Sequence, residues 1–147
     1  MWECGALNEQ TCIERVLDCA AEDQPDFQQR LYDRFYQLAP SAEALMIHID
    51  EEVQGKMLAE VIRLFLSPDV AVTDQQYLLF ETKNHAQAYF VEPEMYRALN
   101  QALFETLKVG AGRIWSSEVE SAVHNRLSKM LHGILEALAV WSAKTYP

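Results

Sequence analysis

The sequence predicts an all-α domain of six or seven helices, and three observations carry that prediction. Apolar residues recur at three- and four-residue spacings along most of the chain, the pattern that puts them on one helix face. Prolines and acid or hydroxyl side chains punctuate these runs where helices start and stop. No segment alternates polar and apolar residues with period two for long enough to be a strand.

The chain can be taken in order on that basis. Thr11 and Glu14 form a capping box for a first helix that carries Ile13, Val16, Leu17 and Ala20. Pro25 suits the first turn of a second helix, whose stripe Phe27, Leu31, Phe35 and Leu38 ends at Pro40. Ser41 is placed to cap a short third piece, SAEALMIHI. Asp50, Glu51 and Glu52 then open a longer helix, at the end where the macrodipole favours carboxylates. Val53, Met57, Leu58, Val61, Ile62, Leu64 and Phe65 are its apolar set, and Ser67-Pro68 closes it.

The segment PDVAVT reads as a loop, after which Thr73 or Asp74 caps a helix with Tyr77, Leu78, Phe80 and, near its end, His85. Pro93 starts the next, with Tyr96, Leu99, Leu103, Thr106 and Leu107 on one side and a stop at Gly110 and Gly112. Ser117 and Glu120 form a second capping box for the last and longest helix. Val119, Val123, Leu127, Met130, Ile134, Leu138 and Trp141 run through it at helical spacing, a buried stripe that makes the last two helices central.

Composition narrows the functions. At 147 residues the chain is expected to be one domain, 1–147, large enough to bury a core and enclose a small cofactor. A net charge of −10 opposes phosphate backbones, so nucleic acid is not an expected partner. No apolar run is long enough for a membrane span and the amino terminus lacks a secretory pattern, which gives an expectation of a cytoplasmic protein. Cys4, Cys12 and Cys19 are an odd set without a CxxC pair, expected to be reduced thiols, with Cys12 and Cys19 sharing a buried helix face.

His85 is the residue around which a site can be built. It stands just before a helix-to-helix corner, in LLFETKNHAQAYFVEPEMY, where an imidazole can bind a metal from one side while its other nitrogen is held by the carbonyl one turn earlier, near Glu81. Taken alone, such a histidine is more often a helix C-terminal residue favoured by the dipole than a ligand. His48 reads as a solvent-exposed loop residue; His124 and His132, eight apart, are too far for an i, i+4 chelate.

Four motifs in order resemble the bacterial globins, of the single-domain and flavohaemoglobin type. LYDRFYQLAP resembles their second helix, which implies that Tyr32 is a distal hydrogen-bond donor. VQGKMLAEVI resembles their long distal helix and carries the pocket glutamine and leucine onto Gln54 and Leu58, one helical turn apart. The 31 residues from Gln54 to His85 are the separation that the family needs for its proximal histidine, and NHAQAYFVEPEMY resembles the same corner in globin-coupled sensors. The likeness runs from about Thr11 to Trp141, with two departures: Met46 stands where the family has a phenylalanine packed on haem, and Glu81 where it has an apolar residue.

What the resemblance implies is a globin-like helical sandwich around a haem pocket, with haem b held by His85 as the metal ligand. Tyr32 and Gln54 would donate to a bound diatomic gas, and Leu58, Val61 and Met46 would line the pocket. Oxygen, nitric oxide or carbon monoxide would be the ligand, for sensing, storage or detoxification. Nitric oxide dioxygenase-type turnover would need an external reductase, since the chain has no room for a flavin module. The other expectation is a haemless globin-fold module working by protein contacts, with a homodimer through the last two helices; Met46 and Glu81 favour it.

Overall fold

The computed structural model describes residues 8–89 and 91–145, of which 86–89 and 141–145 are described by their backbone alone. Its helices are α1 Glu9–Asp23, α2 Phe27–Leu38, α3 Pro40–Leu45, α4 Glu51–Leu66, α5 Val70–Thr73, α6 Gln75–Tyr89, α7 Pro93–Gly110 and α8 Ser117–Thr145, with a 3-10 turn at Gly112–Ile114. The fold is all-α, as expected, and among the described residues no helix is long and apolar enough to cross a membrane.

The helix starts follow local chemistry, with some shifts of position. Asn8, and not Thr11, caps α1: its side chain accepts from the Thr11 backbone N–H at 2.8 Å, so the helix begins two residues before the expected box. Asp50 caps α4 as expected, accepting from Val53 N–H at 2.9 Å. Ser116, one residue before the expected cap, accepts from Val119 N–H at 3.2 Å at the start of α8. Pro40 itself opens α3, with Ala39 at its cap position in place of Ser41.

The expected loop PDVAVT contains α5, which raises the helix count to eight among the described residues. Val70 is 2% exposed, and α8 admits it closely because a Cβ at Gly133 would stand 3.2 Å from a Val70 methyl carbon. Packing on α8, rather than propensity, makes that turn helical.

The last two helices are central, as their stripes require. α7 packs against α1, α2 and α8, while α8 also receives α4, α5 and α6. Ile13, Val16, Phe65, Leu103, Leu107, Val119 and Val123 have no solvent exposure and form the middle of one hydrophobic cluster. The α8 stripe continues through Leu127, Met130, Ile134 and Leu138; the Trp141 side chain lies outside the described set.

Arg126 sits within this core at 1% exposure, which no periodic pattern announces. Its guanidinium donates to the Phe65 main-chain oxygen at 2.8 Å, to Gln10 Oε1 at 2.9 Å and to Glu9 Oε2 at 3.2 Å. Gln10 Nε2 in turn donates to the Leu66 oxygen at 2.9 Å. The open carbonyls at the end of α4 are thereby satisfied from α1 and α8.

The two described cysteines differ. Cys19 is a buried free thiol whose pKa is raised, first by burial. Cys12 is disulfide-bonded, which corrects the expectation of reduced thiols at that position; Cys4 lies outside the described residues.

Candidate functional site

A cavity of about 410 Å³ lies among α2, α3, α4, α6, α7 and α8, and His85 is in its wall. Its volume falls within the range of small-molecule sites. α6 contributes Tyr77, Leu78, Glu81, Thr82 and Asn84 beside His85, and α4 contributes Val53, Met57, Glu60, Val61 and Leu64. Phe35, Leu99, Leu103 and Ile134 extend the apolar surface from α2, α7 and α8. Four of the chain's five methionines, Met46, Met57, Met95 and Met130, line it, giving a polarizable wall that adapts to irregular shapes. Among the described residues no lysine or arginine does.

The His85 ring is held as its sequence position implies. Nδ1 is 2.7 Å from the main-chain oxygen of Glu81, one turn earlier on the same helix. The Glu81 carboxylate is 3.8 Å from the same nitrogen, so this departure from an apolar residue places an acid beside the histidine. A neutral ring donating Nδ1–H to that carbonyl carries its acceptor lone pair on Nε2. Among the described residues no three His, Cys, Asp or Glu side chains are grouped to hold a metal ion by themselves.

The residues assigned by resemblance do not all meet in this cavity. His85, Met46 and Val61 line it; Tyr32, Gln54 and Leu58 do not. Tyr32 is buried, its hydroxyl donates to the main-chain oxygen of Gln54 at 2.9 Å, and burial pushes its pKa up to about 12. The Gln54 amide donates to Tyr36 Oη at 3.4 Å, with the Ile49 oxygen at 3.5 Å. Leu58 lines a separate, shallower groove of about 520 Å³ with Leu17, Phe27, Ile62 and Leu107. On α4 it is therefore Met57 and Val61, not Gln54 and Leu58, that face the cavity one turn apart.

No known family model matches this chain, and no curated protein matches it. The site therefore stands on its geometry.

Several residues to which the sequence assigns no part in the site shape it. Tyr96 and Asn100, one turn apart on α7, line the cavity, and Tyr96 Oη and Asn100 Oδ1 are buried without hydrogen-bond partners among the described residues. Burial, then the Glu81 charge, pushes the Tyr96 pKa up to about 12. Thr82 is buried and spends its hydroxyl on the Leu78 oxygen at 2.7 Å, which leaves its methyl for the wall. Spacing places Tyr96 on a helix face, but the surroundings of its hydroxyl depend on the tertiary packing that brings Glu81 of α6 near it.

One edge is closed by an exposed strap between α4 and the start of α6. Tyr77 Oη donates to Glu60 Oε2 at 2.8 Å, Arg63 donates to Glu60 at 3.1 Å and to Asp74 at 2.9 Å, and the guanidinium lies 4.7 Å from the Tyr77 ring centre. The Tyr77 hydrogen bond and Arg63 lower the Glu60 pKa, and Arg63 lowers that of Asp74. His48, His124 and His132 are exposed and lie outside the cavity wall.

Proposed function

We propose that the chain is a globin-like, haem-binding protein that reversibly binds a diatomic gas at an iron held by His85. The observation that carries this reading is the His85 ring in the wall of an apolar cavity, with Nδ1 anchored on the Glu81 carbonyl at 2.7 Å. That hydrogen bond fixes the tautomer and the ring plane, which is what a single imidazole needs to hold a metal from one side. Haem b, when bound, supplies the iron at which oxygen, nitric oxide or carbon monoxide binds.

The chain's own residues suit such a group. Phe35, Leu99, Leu103 and the methionines exclude water around a large apolar body. The partnerless Tyr96 hydroxyl and Asn100 carbonyl cost about 1–3 kcal/mol each while unmet, a cost that an occupant can remove. Tyr32 and Gln54 act on the site through the α2–α4 joint rather than by facing the ligand.

The test is reconstitution of the purified full chain with haemin. Stoichiometric uptake with a Soret band that moves on reduction and again on adding carbon monoxide is the expected result. His85→Ala should lose the haem and keep its helical content, whereas His132→Ala should bind as before. Absence of a stoichiometric band would sink this reading and leave the haemless interaction module, for which the acidic Glu81 is the supporting feature.

A further inference from the structure

The polar groups in the wall of the His85 cavity divide into those already paired and those left over. Tyr77 Oη and Arg63 donate to the Glu60 carboxylate at 2.8 and 3.1 Å, so its charge is met at the exposed edge. Thr82 donates to the Leu78 oxygen at 2.7 Å, and His85 Nδ1 is 2.7 Å from the Glu81 main-chain oxygen. Met46 Sδ accepts from Tyr36 at 3.6 Å, and the sulfurs of Met57, Met95 and Met130 are weak acceptors. Asn84 is exposed. What is left is Tyr96 Oη, Asn100 Oδ1 and the Glu81 carboxylate. Among the described residues no lysine or arginine pairs with Glu81; the His85 Nδ1 at 3.8 Å is turned to the Glu81 carbonyl instead.

These three groups share one space. Tyr96 and Asn100 are four residues apart on α7, on one face of the helix. α6 and α7 both pack on α8, and after burial it is the Glu81 charge that raises the Tyr96 pKa, so Glu81 stands near that hydroxyl. Their chemistry is one-sided. A carboxylate and an amide oxygen only accept hydrogen bonds, and a phenol oxygen accepts as well as donates. An anionic occupant would lose its hydration to a wall with two carboxylates and, among the described residues, no lysine or arginine. A neutral apolar occupant would leave the buried acceptors unmet. An ammonium satisfies them, and a primary one has three N–H donors for three acceptors.

We infer that the cavity is a binding site for an apolar organic amine, its ammonium donating to Glu81, Asn100 Oδ1 and Tyr96 Oη and its body lying against the methionines. The inference does not rest on the haem reading, since it uses only the wall's own atoms. The two occupants exclude each other from the one cavity. The methionine wall suits an aliphatic or aromatic body of irregular shape, while the head group sets the selectivity.

Isothermal titration of the full chain at pH 7 with octylammonium, octanol and octanoate, alike in body and different in head, tests this. Octylammonium should bind at one site per chain, about tenfold or more tighter than octanol, with octanoate the weakest. Glu81→Gln keeps the shape and removes the charge, and should bring octylammonium to within about threefold of octanol; Tyr96→Phe should weaken octylammonium by about threefold to tenfold. Glu14→Gln removes the same charge from the wall of the separate groove and should leave binding unchanged, which distinguishes the cavity from general attraction to an acidic chain. Octanol or octanoate binding as tightly as octylammonium would overturn the inference, as would equal effects of Glu81→Gln and Glu14→Gln. The wild-type ranking decides even where a variant does not fold. Haemin uptake is measured on the same chain: uptake of haemin without octylammonium binding would overturn this inference alone, and octylammonium binding without haemin uptake would overturn the haem reading alone.

Discussion

Tyr32→Phe sets the sequence resemblance and the tertiary structure against each other. The resemblance makes the hydroxyl a donor to bound gas. In a site of low dielectric, such a charge-assisted bond is worth about 1.5–3 kcal/mol, so its loss should speed oxygen release by roughly ten- to a hundredfold and change release of the less polar carbon monoxide little. In the structure the side chain is 6% exposed, lies outside the His85 cavity wall and spends its hydroxyl on the Gln54 main-chain oxygen at 2.9 Å. Its removal then costs one neutral hydrogen bond between α2 and α4, about 1 kcal/mol, which lowers Tm by about 3 °C in a domain of this size. The expected outcome is that drop in thermal stability with oxygen and carbon monoxide release each changed by less than about twofold. Thermal unfolding by circular dichroism and stopped-flow release from the haem-loaded protein measure the two quantities. A tenfold faster oxygen release at unchanged carbon monoxide release would refute the argument and restore Tyr32 as a ligand donor.

Arg126→Ala should destabilise the fold by about 3 kcal/mol, the low end for breaking a buried pair, because Glu9 is 26% exposed and can hydrate. Urea unfolding should show a midpoint lower by about 1–2 M, and a loss below 0.5 kcal/mol would contradict the role given to this residue. Acid should loosen the α4–α6 strap: Glu60 and Asp74 have folded-state pKa values below their ordinary 4.5 and 3.8, so their contribution is full above those values and lost as pH falls through the depressed ones. Asp74→Asn should flatten the stability profile in that acid range, and an unchanged profile would show that the ion pair contributes nothing. Gly133→Leu should cost about 1–3 kcal/mol by forcing α5 off α8, read as a lower Tm; wild-type stability would mean that the close approach is not required.

The sequence by itself determined what depends on neighbours one turn away. The α8 stripe, the Asp50 cap, the Pro93 start and the Glu81 carbonyl behind His85 all involve residues within four positions of each other, and each is in place. Where two adjacent residues could cap equally well, as at Ser116 and Ser117, local chemistry left the choice to the packing of the chain around them. Tertiary structure decided the rest. α5 exists because Val70 reaches α8 beside Gly133, and Arg126 is buried because its acceptors arrive from α1 and α4, more than 110 and more than 60 residues away. It also decided which face of α4 meets His85. Met57 and Val61 line the cavity, whereas Gln54 donates to Tyr36 and Leu58 lines the other groove, a choice between neighbouring apolar rows that the spacing along α4 leaves open.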